Sequence, residues 1–116
     1  MEVLIRLSLV LNIVVLVPVC TGIFRQAEWT VAAYGPQSPA LGILLSVYGA
    51  ILIASVGLLI KPVPAMVAAL LAVQIIYKLT TPFTVQSLSN PVVLSNLAIA
   101  AFHAVTLWAI ARTMSV

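Results

Sequence analysis

Residues 39–64 read PALGILLSVYGAILIASVGLLIKPVP. No charged side chain occurs between Pro39 and Ile60, and ~20 mainly apolar residues are what a helix needs to cross the hydrocarbon core of a bilayer. The run is therefore read as one spanning helix. Lys61-Pro62 interrupts it, and a second apolar run resumes at Val63. With so short a link, the two helices are expected to form a tight antiparallel hairpin.

Working outward from this pair, the second run extends from Val63 to about Thr81. Two more segments of spanning length lie on either side, from about Val3 to Phe24 and from Pro91 to about Thr113. Ser38-Pro39, Val63-Pro64 and Asn90-Pro91 mark helix starts, because proline suits the first turn, where its missing N–H has no intrahelical partner. Ser38 and Asn90 are also able to cap. Pro18 falls inside the first span and frees the carbonyl of Val14, so a kink is expected there. The first segment has the length of a span, carries Glu2 and lacks a clean small-x-small cleavage pattern, so it reads as a retained helix and not as a leader.

The fold class predicted is all-α, an integral membrane four-helix bundle of two antiparallel hairpins. Residues 1–116 form a single domain with spans of about 3–24, 39–60, 63–81 and 91–113. Composition agrees: 64% of the 116 residues are apolar, 6% are charged, and the mean hydropathy is +1.28, far from a soluble balance. The formal net charge of +3 comes from five basic and two acidic side chains, too few to build a nucleic-acid surface. They serve better as topology signals. Arg6, Lys61 and Arg112 fall on one side and Arg25 and Lys78 on the other, which places both termini in the cytoplasm by the positive-inside rule.

Residues 25–37, RQAEWTVAAYGPQ, hold Trp29 and Tyr34 among small residues, the pattern of a short segment at headgroup level. Residues 82–90 read as a polar loop. Cys20 is the single cysteine, so no intrachain disulfide or multi-cysteine metal site exists, and packing is its expected role.

The polar residues inside the spans carry the functional question. Gln74, Tyr77, Lys78 and Thr81 recur at helical spacing and form one stripe. Lys78 is placed about one turn from its helix end, where it is expected to snorkel to the headgroups. At 1.5 Å per residue, Gln74 lies ~9–10 Å inside its helix end and Asn96 ~7–8 Å inside the start of the next helix, at matching depth for a hydrogen bond. Asn12 and His103 fall near the middle of their spans and are expected to form a second polar layer between the first and last helices. Glu28 lies level with Lys78, which makes an ion pair between them a candidate contact. On the second span Gly42, Ser46, Gly49 and Ala50, Ala54, Gly57 lie on adjacent faces, a pattern that lets helix backbones approach closely.

His103 has a sharper reading as the axial ligand of a tetrapyrrole, with its other nitrogen held by a neighbour such as Asn12 or Thr106 and Trp108 packing the macrocycle. The lack of a second histidine argues for a satisfied core residue instead, and no other cofactor or metal is expected. No pair of intramembrane carboxylates, no Ser-His-Asp set and no glycine-rich phosphate loop is present, so the chain is not expected to be an enzyme.

Three functions follow. The first is a structural or accessory subunit of a larger membrane complex, possibly respiratory or photosynthetic, docking through small-residue faces. The second is a small carrier or lipid- or quinone-handling homo-oligomer, and the third a pigment- or haem-binding subunit through His103. Partners are expected to be membrane lipids, other membrane subunits or further copies of the chain. The outline of four short spans, with QIIYK at 74–78 near the end of the third, resembles small bacterial four-helix membrane families in architecture alone. That implies a bacterial inner membrane.

Overall fold

A computed structural model describes residues 1–114 as five helices, with no strand among the described residues. They are α1 (Glu2–Arg25), α2 (Glu28–Tyr34), α3 (Pro39–Ile60), α4 (Pro64–Val85) and α5 (Pro91–Met114). All but α2 are long and apolar enough to cross a membrane. Local chemistry sets their starts. The Leu41 N–H donates to Ser38 Oγ at 3.1 Å, and the Val92 N–H donates to Asn90 Oδ1 at 2.8 Å, so each cap satisfies a donor that the first turn would leave open. Pro18 lies on the exposed side of α1, which continues as helix to Arg25.

The third span is longer than its sequence implies. Its end was expected near Thr81, but α4 runs through Pro82 to Val85 and stops at Gln86, which adopts the left-handed conformation with φ 60°. Pro82 removes the bond to the Lys78 carbonyl. Around that gap the Thr80 and Thr81 hydroxyls both donate to the Tyr77 carbonyl, and Thr84 donates to that of Thr81. Of these only the Thr84 bond, at 3.3 Å, spans Pro82. The polar loop expected over 82–90 shortens to 86–90.

α1 packs along α3 and α4 along α5, a thinner seam joins α1 to α5, and α3 and α4 meet only sparsely. The tight hairpin expected of residues 39–81 is therefore absent. Lys61 precedes Pro62 and Val63 precedes Pro64, and a residue before proline is pushed out of the helical region. Both are extended, Lys61 at φ −134°, ψ 86° and Val63 at φ −121°, ψ 105°, so the link spreads the helices it joins.

The core has two apolar clusters. Ile5 and Leu9 of α1 meet Leu58, Val67, Leu71 and Ile110 at one end of the bundle. Leu16 and Ile23 meet Leu41, Tyr48 and Ile51 towards the other. The beginning of α1 therefore lies beside the ends of α3 and α5. The outer surface is apolar too: Val3, Val14, Ile43, Ile53, Val73 and Ile76 are each more than 60% exposed, a distribution suited to lipid and not to water.

α2 crosses the end where α1 finishes. Gly22 makes this approach possible, because a Cβ there would stand 2.5 Å from Thr30 Cγ2 and 2.8 Å from Trp29 Cζ2. Thr30 is 2% exposed, and its hydroxyl donates to the carbonyls of Gly22 and Ala27 at 2.9 and 2.8 Å. From the opposite side Asn90 Nδ2 donates to the Ala33 carbonyl at 2.9 Å. α2 is thereby fastened to both halves of the bundle.

Candidate functional site

Nine polar side chains are buried among the described residues, and all but Thr30 lie within the four long helices. Nearest the amino-terminal end, Ser8 and Thr106 share a hydrogen bond of 2.7 Å between α1 and α5. One turn along, Asn12 Nδ2 donates to Ser55 Oγ at 3.0 Å, and that hydroxyl donates to the Ile51 carbonyl at 2.7 Å. Towards α2, Asn96 Nδ2 reaches Thr81 Oγ1 at 3.4 Å. With the Ser8–Thr106 and Asn96–Thr81 pairs as fixed rungs, antiparallel register sets Gln74 level with His103, and both with Asn12 and Ser55. The result is a polar column along the bundle axis.

The pairings within this column differ from the sequence expectations. Asn12 bonds α3 through Ser55 instead of joining His103, and Asn96 bonds Thr81 instead of Gln74. Ser55 and Thr81 are nearer acceptors, each already oriented by donating to a carbonyl of its own helix. Gln74 is fully buried, its Nε2 only 3.4 Å from the Leu70 carbonyl and its Oε1 without a protein partner. His103 is 0% exposed with both ring nitrogens unpartnered. With no ring atom at the surface, a macrocycle on His103 would require the helices to separate.

Lys78 is the sharpest departure. It is 4% exposed and enclosed by the bundle, not snorkelling to an interface. Extension of α4 to Val85 puts it about 10 Å inside the helix end at 1.5 Å per residue, beyond easy reach of the headgroups. The pair proposed with Glu28 is not formed, since Glu28 is exposed. The other acid, Glu2, lies 3.6 Å from Arg6 at the far end of α1. Lys78 thus has no carboxylate partner among the described residues. Its Nζ lies 5.4 Å from the centroid of the Tyr77 ring.

Beneath α2 the bundle is hollow. A cavity of about 220 Å³ is walled by Leu44 and Tyr48 of α3, Tyr77 and Thr81 of α4, and Asn96 of α5, with Tyr34 of α2 above. A second, of about 260 Å³, lies between α1 and α5 against Trp29 and shares Ala33, Tyr34, Val92 and Asn96 with the first. Tyr34, expected at the headgroups, turns inward and meets Tyr48 edge-on, ring centroids 6.1 Å apart, with a 3.4 Å hydroxyl contact. Burial pushes the Tyr34 phenol above its ordinary value, so it stays protonated. Trp29 is half exposed.

None of the protein families, curated proteins or solved structures compared with the chain matches it. The site has to be read from its own geometry.

Ser8, Ser55 and Thr106 were not singled out as site residues, although Ser8 stands four before Asn12 and Thr106 three after His103, the spacing that selected the others. The small residues of α3 have the opposite fate. Gly49 and Gly57 have open space where a Cβ would stand, Gly42 meets only Gln37 at 3.9 Å, and Ser46 and Ala50 are exposed. Ala54 is half-buried. These faces do not mediate close packing within the chain, because the face of α3 turned inward carries Leu41, Tyr48, Ile51, Ser55 and Leu58.

Proposed function

We propose that the chain is an integral membrane four-helix bundle of two antiparallel hairpins that holds a small amphiphile in the chamber beneath α2. On this reading it is a binding or carrier protein and catalyses no reaction. The observation that carries the proposal is the chamber itself: a partly polar cavity walled by α3, α4 and α5 and covered by α2, with hydroxyl and amide groups on its wall. At about 220 and 260 Å³ the two cavities fall below the roughly 300–1,000 Å³ of pockets that envelop a drug-sized molecule. Each suits a head group or the first part of a chain. The parting of α3 and α4 supplies lateral access from lipid. Charge supports the orientation with both termini cytoplasmic, since Arg6, Lys61 and Arg112 gather at the end opposite α2. A bacterial inner membrane is the corresponding location.

The test is displaceable binding of a tritiated single-chain amphiphile to the purified protein in detergent. Ala33 borders both cavities, so Ala33→Phe should narrow the space between them and weaken binding. Absence of displaceable binding, or equal binding by Ala33→Phe, would sink the proposal.

A second reading, an accessory subunit of a larger membrane assembly, is favoured by the unoccupied small-residue faces of α3. Extraction from the native membrane in mild detergent separates the two. A large particle of defined subunits supports docking, and a particle containing only this chain removes the support. The open faces of α3 equally suit a homo-oligomer. A pigment at His103 draws least support, given its complete burial.

A further inference from the structure

Resting on the amphiphile reading above, we infer that the head group held beneath α2 is a small monoanion, the carboxylate of a single-chain fatty acid, with Lys78 as its charge partner. The Lys78 Nζ lies 5.4 Å from the ring centre of Tyr77, and Tyr77 forms part of the wall of the α3–α4 cavity. Lys78 does not itself line that wall, but it stands one turn before Thr81, which does, and its four-carbon stem has to swing past Tyr77 to meet the head group. A buried cationic side chain is ordinarily paired or placed against a functional pathway. Here the two acidic side chains, Glu2 and Glu28, are at the surface, Glu2 beside Arg6. A carboxylate from outside the chain is the partner that completes the arrangement.

The rest of the wall fits the same head. Where the Tyr34 hydroxyl donates to Tyr48, the Tyr48 proton is left to donate into the cavity. Asn96 uses one amide N–H on Thr81 and keeps the other. Leu44 of α3 and Val85 of α4 are apolar and suit the first methylenes of a chain leaving between those helices. The single cation matches a monoanion. A phosphate monoester or a pyrophosphate would bring more charge than Lys78 can answer, and a two-chain phospholipid would need more room than about 220 Å³. A quinone would find the donors but leave the charge unmet.

The experiment compares tritiated palmitate with tritiated cetyl alcohol on the full chain in neutral detergent, each displaced by its unlabelled form, at a pH where palmitate is ionised. A hydrogen bond to a charged group exceeds one to a neutral group by enough to give the acid an affinity at least about tenfold higher. Lys78→Met should lower palmitate affinity at least about tenfold and bring it to that of cetyl alcohol, and a helical circular-dichroism spectrum and a single elution peak matching the parent's show that the variant is folded. If Lys78→Met does not elute as a single species, Lys78→Gln takes its place. Equal affinities in the parent protein, or a preference for palmitate that survives loss of Lys78, would overturn the carboxylate assignment and leave the amphiphile reading standing. Displaceable binding of neither probe would overturn both.

Discussion

Replacing Gly22 by alanine puts a methyl group where α1 and α2 touch. That carbon would stand 2.5 Å from Thr30 Cγ2, about 0.9 Å inside the 3.4 Å at which ordinary contact begins, and 2.8 Å from Trp29 Cζ2. Trp29 is half exposed and can swing aside, whereas Thr30 is 2% exposed and held by two hydrogen bonds. The overlap with Thr30 therefore decides the cost. Overpacking of this kind costs about 1–3 kcal/mol, and the gain in helix propensity from glycine to alanine returns up to about 1 kcal/mol. The expected net destabilisation is about 1–2 kcal/mol. Gly49→Ala and Gly57→Ala serve as matched controls, since nothing lies within 4 Å of a Cβ at either. They should be neutral or stabilising by up to about 1 kcal/mol. Thr30→Ser removes the offending methyl but keeps the hydroxyl, at a cost of about 0.8 kcal/mol for the lost group. Combined with Gly22→Ala, it should recover about 1 kcal/mol relative to the sum of the single changes. Equilibrium unfolding by SDS in mixed micelles, followed by Trp29 emission in a Trp108→Phe background, measures all of these. A Gly22→Ala protein as stable as Gly49→Ala, or strict additivity in the double variant, would refute the close approach of α2 to α1.

The polar column gives three further expectations. Ser55→Ala should cost more than Asn12→Leu: losing Ser55 strands the Asn12 amide, whereas losing Asn12 leaves Ser55 bonded to Ile51. With such interhelical bonds worth about 0.6–2 kcal/mol, paired unfolding curves that reverse this order would contradict the pairing. Lys78→Met should stabilise the empty protein by about 1–2 kcal/mol by removing a buried polar head without a partner. A lower SDS midpoint would show that the head has a partner after all. Asn90→Ala removes both the cap on α5 and the tie to Ala33, for a loss of about 1–2 kcal/mol. Amide exchange should then rise in α2 while α4 is unchanged, and uniform exchange across the chain would argue against the tie.

The sequence by itself determined the number of long helices and most of their limits, because runs of about twenty mainly apolar residues, three of them opened by proline, permit little else and Ser38 and Asn90 act within a turn of where they stand. It also selected most of the buried polar residues, since helical spacing assigns Gln74 and Lys78 to one face without reference to any neighbour. Which residues those faces meet was decided only in three dimensions. Asn12 matches His103 in depth as well as it matches Ser55, and depth alone cannot choose between neighbouring helices. The burial of Lys78 is not legible because α4 continues through Pro82 to Val85, and four extra residues turn a snorkelling position into a buried one. The link through Lys61-Pro62 promised a close hairpin by its length, but two pre-proline residues in extended conformation hold α3 and α4 apart. The chamber beneath α2 lies at the opposite end and is walled by α2, α3, α4 and α5 together, a feature that belongs to the packing of the helices and to no single stretch of the chain.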